Sequence, residues 1–79
     1  MEIKVYGPGC KKCVSLAENV EAAVDGLGVE AEIEKVEEMA AIAQAGIMST
    51  PGLGINGDVK VKGRVPNVEE IKELIEAEL

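Results

Sequence analysis

At 79 residues the chain has room for one domain with a small core, and a second domain is excluded. That core is built almost without aromatics, since there is no Trp, no Phe and a single Tyr, so stacking platforms for nucleic-acid bases are missing. Lys and Arg number 8 against 15 Asp and Glu, and the resulting charge of −7 argues against general binding to nucleic acid or to an anionic membrane surface.

The first predicted element is a strand over Met1 to Tyr6, in which Ile3 and Val5 alternate with Lys4 and Tyr6. Gly7-Pro8-Gly9 ends it in a loop that also holds the first of two cysteines, in Cys10-Lys11-Lys12-Cys13. From Lys11 to about Leu27, Leu16, Val20, Ala23, Val24 and Leu27 recur at helical spacing, and Gly26 and Gly28 mark the stop. Val29 to Val36 alternates again, with Val29, Ala31 and Ile33 on one face and Glu30, Glu32 and Glu34 on the other, a pattern that suits a strand at a sheet rim.

Glu37 to Ala45 reads as a short helix with acidic residues in its first turn and Met39, Ile42 and Ala43 facing inward. Gly52 to Ile55 and Val59 to Lys62 are strands joined by Asn56-Gly57, the strongest hairpin signal in the chain. Asn67 followed by Glu70 predicts a capping box ahead of a last helix whose inner face is Val68, Ile71, Leu74 and Ile75. The order is β-α-β-α-β-β-α. A helix between the first two strands makes them parallel, and the hairpin makes the last two antiparallel, giving an α/β fold with a mixed four-stranded sheet.

The cysteines sit where a strand turns into a helix. Unpaired N–H groups and the positive dipole end there stabilise a thiolate, the nucleophile of disulfide exchange, and Lys11 and Lys12 add positive charge. Two readings compete with a redox dithiol. One is a pair of small buried hydrophobes. The other is a soft-metal or arsenic-type ion carrier, since copper chaperones also place C-x-x-C between a first strand and a helix. Those carriers run β-α-β-β-α-β and place Met where this chain has Pro8. Structural zinc would need two further ligands, and there is no His.

With Thr50-Pro51 ahead of the hairpin, the whole chain resembles the thioredoxin superfamily, and more closely its short, glutaredoxin-sized prokaryotic members, the redox-active disulfide proteins. The resemblance implies a thioredoxin fold with helices on both faces of the sheet, spanning residues 1–79. It implies a thiol–disulfide oxidoreductase with Cys10 as attacking nucleophile, Cys13 as resolving thiol and Pro51 as a cis-proline facing them. Thr50 would offer its backbone to an extended substrate, and Gly9, Lys11, Lys12 and Tyr6 would complete the substrate-facing set, although Tyr6 fits core packing equally well. Expected partners are protein disulfides and an upstream reductase or small-thiol donor. No cofactor, resident metal, nucleic acid or membrane partner is expected, and the chain is expected to be monomeric.

Gly9 stands where thioredoxins carry Trp, and Lys4 where they carry a buried Asp, so proton handling falls to another group or to water. The chain enters its first strand without a signal-peptide pattern and has no long apolar run, so it is expected in the cytoplasm. In that reducing compartment a C-x-x-C pair is more often catalytic or metal-binding than structural.

Overall fold

The computed structural model describes residues 1–79. Its elements are β1 (Glu2–Tyr6), α1 (Lys11–Leu27), β2 (Glu32–Val36), α2 (Met39–Gln44), β3 (Gly52–Ile55), β4 (Asp58–Lys62) and α3 (Val68–Glu76). The expected β-α-β-α-β-β-α order is what forms. The strands make one sheet in the order β2-β1-β3-β4. Its β1/β2 pair is parallel, and its β1/β3 and β3/β4 pairs are antiparallel.

Alternation along β1 sends Ile3 and Val5 to one face and Tyr6 to the other, and each face is covered differently. On the first, Ile3, Val5, Leu53, Ile55 and Val61 pack against Leu16, Ala17, Val20 and Ala23 of α1 and Ile71 and Ile75 of α3. Full burial of a side chain of the Val, Leu or Ile class contributes about 1.5–3 kcal/mol, so this aliphatic layer is the main source of stability. On the second face a smaller cluster joins Tyr6, Ile42 of α2 and Ile47. Helices therefore lie on both faces.

The alternating glycines of β3 belong to that second layer. A Cβ on Gly54 would come within 3.1 Å of the Tyr6 ring, and one on Gly52 within 2.7 Å of Ile47 Cδ1, so both residues pack directly on strand backbone. The hairpin closes as expected, with Asn56 at φ 51° and Gly57 at φ 89°. These positive values are the ones a two-residue turn of matching twist requires. A bulge between Leu53 and Gly54 leaves Lys60 without a partner in the register of β4.

Several boundaries differ from the sequence reading. β2 begins at Glu32, not Val29, because β1 begins at Glu2 and the parallel register pairs Glu2 with Glu32. Without a neighbour to bond, Val29 to Ala31 form no strand. Helix α1 continues through Gly26 and ends at Gly28, which takes a left-handed conformation at φ 65°. Helix α2 is shorter than 37–45, with no acidic residue in its first turn, and Glu37 lies outside it.

Only Ile42 of α2 is buried, whereas Met39 is 61% exposed and Ala43 is also exposed. A six-residue helix presents little more than one position to the sheet. At α3, Asn67 Oδ1 accepts the Glu70 N–H at 2.8 Å as a cap should. The reciprocal half of the capping box does not form, because the Glu70 carboxylate turns to Arg64. No helix is long and apolar enough to cross a membrane.

Candidate active site

Pairing of β1 with β2 extends one residue past the strand, because the Gly7 N–H donates to Val36 O at 2.9 Å. The chain then turns through Gly9, at φ 89°, into Cys10, whose extended backbone (φ −69°, ψ 169°) is that of a residue flanking a helix start. Cys10 is the N-cap of α1, and its sulfur takes the place that a Ser or Asp oxygen fills elsewhere: Sγ accepts the Cys13 N–H at 3.3 Å. The first turn holds no acidic residue to compete for those donors.

The two cysteines are free and differ in exposure, Cys10 lying at the surface and Cys13 being 5% exposed. Cys13 falls on the buried face of α1 with Leu16, Ala17 and Val20, which follows from its helical spacing. Gly7 makes room for it. A Cβ on Gly7 would overlap Cys13 Sγ, and that same point lies 3.9 Å from Pro51 Cα. Cys13 Sγ and Pro51 Cα both lie around the point where a Gly7 side chain would begin, and the Thr50–Pro51 peptide bond is cis.

Pro51 itself is less than 2% exposed, with its carbonyl accepting the Gly63 N–H at 2.8 Å. The surface beside the dithiol on this side therefore comes from the preceding residues. Thr50 is half-buried and Met48 is 93% exposed.

The environment separates the acidities of the two thiols. Hydrogen bonding from the Cys13 side chain, then from the Cys13 backbone N–H, holds Cys10 below the ordinary thiol range; burial opposes them, and the Lys12 N–H adds a lesser lowering. Burial, then hydrogen bonding with Cys10, pushes Cys13 above it. The first proton lost by the pair is that of Cys10, giving an exposed thiolate backed by a buried thiol. Lys11 and Lys12 are exposed, and Lys12 lowers Cys10 through its backbone N–H.

Other sequence-predicted residues are distributed unevenly. Gly9 lies in the exposed loop leading to Cys10. Tyr6 does not flank the dithiol: it is 8% exposed and packs with Ile42 and Ile47 on the face of the sheet opposite the main core. Strand alternation accounts for this, since Val5 and Gly7 take the positions that look toward α1. Lys4 pairs with Glu34 at 3.9 Å. No group of three His, Cys, Asp or Glu side chains is arranged to hold a metal ion.

Sequence reasoning missed two features of the site. One is the close approach of Gly7 to Cys13, which no local pattern signals. The other is a pocket of about 140 Å³ beside Cys13, lined by Val5, Gly7, Gly9, Val14 and Ala17 and by the polar Lys35 and Glu37. The signal for the polar pair was available: Ile33, Lys35 and Glu37 follow one another at the strand period of two, and Ile33 packs on the main core.

Comparison with known proteins gives a consistent result. A family model described as thioredoxin domain matches residues 1–76. A thioredoxin of Methanothermobacter thermautotrophicus is 45% identical over 75 residues, which cover 95% of this chain and 97% of that one. A thioredoxin of Methanocaldococcus jannaschii is 42% identical over 77 residues, covering 98% and 88%.

Proposed function

The chain belongs to the thioredoxin family and is a thiol–disulfide oxidoreductase, and from that membership we propose that it exchanges the Cys10–Cys13 pair with disulfides of other proteins. The observation that carries this reading is the division between an exposed, hydrogen-bonded Cys10 sulfur at a helix start and a buried Cys13 behind it.

In the reducing direction the Cys10 thiolate attacks a substrate disulfide, and one substrate sulfur leaves as a thiolate with the bonding pair. Cys13 then attacks Cys10 Sγ in the mixed disulfide. The bond from Cys10 to the substrate breaks, the Cys10–Cys13 bond forms, and the substrate leaves with both of its sulfurs reduced. An upstream reductase or a small-thiol donor returns the pair to the dithiol.

Thr50 suits the docking of an extended substrate segment because neither its N–H nor its C=O takes part in a backbone hydrogen bond outside the regular elements, and β3 begins only at Gly52. Pro51 fixes the position of that backbone against Cys13 while remaining covered. Gly9 leaves the approach to Cys10 open, and Lys11 and Lys12 border it with positive charge. The working form is a monomer in the cytoplasm.

The test is reduction of insulin disulfides by protein charged with dithiothreitol. Activity that Cys10→Ser abolishes supports the reading, and Cys13→Ser is expected to accumulate mixed disulfides on Cys10 in lysate. Turnover that survives Cys10→Ser, or stoichiometric Cu(I) binding without reductase activity, would overturn it.

A further inference from the structure

Attack by Cys13 on the mixed disulfide requires that a thiol which is 5% exposed lose its proton at the moment of bond formation. Burial limits the contact of bulk water with its sulfur, so the space beside it is a route for that proton. That space is the pocket of about 140 Å³ between α1, the Gly7–Gly9 loop and the end of β2. The titratable side chains lining it are Cys13 from α1 and Lys35 and Glu37 from the end of β2, while β1 and its loop contribute Val5, Gly7 and Gly9. Cys10 adjoins through its bond to the Cys13 N–H, and the exposed Lys11, Lys12 and Glu38 do not line the pocket.

Of these groups only Glu37 is built to take a proton, because an ammonium group such as that of Lys35 has donors and no acceptor. The parallel register that pairs Val5 with Lys35 carries the chain on to Glu37. Its Oε2 lies 3.8 Å from the position a Cβ on Gly9 would take, so the carboxylate rests against the cysteine loop. Neither Glu37 nor Lys35 belongs to any of the four ion pairs of the molecule, and the carboxylate is not held by a closer cation. The pocket exceeds the roughly 10–15 Å³ that one water needs, so transfer through a single water is available.

We propose that Glu37 is the proton acceptor for Cys13 in the resolving step. The inference rests on the roles given above to Cys10 and Cys13. As Cys13 Sγ bonds to Cys10 Sγ, its proton passes through water to the Glu37 carboxylate, and the electron pair of the broken disulfide leaves with the substrate sulfur. The protonated carboxyl group then returns the proton to solvent or to the departing thiolate, so the net change is one thiol consumed and one thiol released.

The test is stopped-flow reaction of the reduced chain with an aromatic disulfide whose thiol product is coloured. Attack by Cys10 releases the first equivalent of that thiol and resolution by Cys13 the second. For Glu37→Gln the first phase is expected at the rate of the unmodified chain. The second is expected to slow about 100-fold near neutral pH and to rise with hydroxide concentration, in line with the loss of a general base. Glu37→Ala is expected to regain part of the second phase on addition of acetate, a recovery that a purely structural role would not give. Two normal phases in Glu37→Gln at every pH would overturn the proposal. Absence of the first phase in the unmodified chain would overturn the Cys10 assignment beneath it.

Discussion

The Cα of Gly7 lies so close to the sulfur of Cys13 that a methyl group there would overlap Sγ and come within 3.0 Å of Cys13 Cβ. Cys13 is fixed on the buried face of α1, so relief of that overlap requires its sulfur to turn into the pocket beside it or the Gly7 backbone to move. Gly7→Ala is expected to destabilise the reduced protein by about 1–3 kcal/mol, the usual cost of overpacking, and to slow closure of the Cys10–Cys13 bond. Urea unfolding and the rate of the resolving step measure the two effects. An unchanged midpoint and rate would show that the sulfur has slack the structure does not display.

The acidity of Cys10 depends first on Cys13. Removing the Cys13 side chain takes away the largest cause of the depression and leaves the backbone N–H groups, so Cys13→Ala is expected to move Cys10 part of the way back toward an ordinary thiol. The check is the pH dependence of iodoacetamide alkylation, with a midpoint lower in the unmodified chain than in Cys13→Ala. The sign for stability follows by linkage. A lowered Cys10 contributes stability that is present above the ordinary thiol value and is lost as pH falls through its folded value. A raised Cys13 acts oppositely, its contribution being full below the ordinary value and lost as pH rises toward its folded value. The reduced protein is therefore expected to gain stability as pH rises toward the ordinary thiol range and to lose it beyond.

Tyr6 separates a packing role from a substrate contact. Its ring fills the smaller cluster with Ile42 and Ile47 and lies on the backbone of Gly54. Tyr6→Phe is expected to keep both stability and insulin reduction, and Tyr6→Ala to lose about 3 kcal/mol or more, as aromatic truncations in cores do. A Tyr6→Phe protein that folds normally but fails to reduce insulin would return the residue to the substrate-facing set.

The order of elements was legible because each carries its own local signal: alternation in β1, helical spacing in α1, Asn56-Gly57 at the hairpin and Asn67 ahead of α3. The cysteines were legible for the same reason. What could not be read depends on a partner distant in sequence. The start of β2 at Glu32 is decided by where β1 begins, and the failure of the capping box by Arg64 drawing the Glu70 carboxylate away. The outward turn of Met39 reflects how little of α2 meets the sheet. Glu37 is the most consequential case. Its face was legible from the strand period of Ile33, Lys35 and Glu37, but its place on the pocket that Cys13 lines emerges only when the β1/β2 register sets the end of one strand against the loop that follows the other.

Lys11 and Lys12 give the last prediction, because sequence and structure assign the acidity of Cys10 differently. The sequence places two cationic side chains between the cysteines, and through-space attraction would make them the cause of a reactive thiolate. In the folded chain both are exposed, where solvent and salt screen their charge, and the depression comes from the Cys13 thiol and from N–H groups fixed at the start of α1. The double variant Lys11→Gln, Lys12→Gln is accordingly expected to leave both the alkylation midpoint of Cys10 and its response to added salt within the error of the unmodified chain. It is expected to alter insulin reduction only through docking, as a change in apparent KM with kcat preserved. A clear rise of the midpoint toward that of a free cysteine would reverse the assignment and make the ammonium groups, not the helix start, the source of the reactive thiolate.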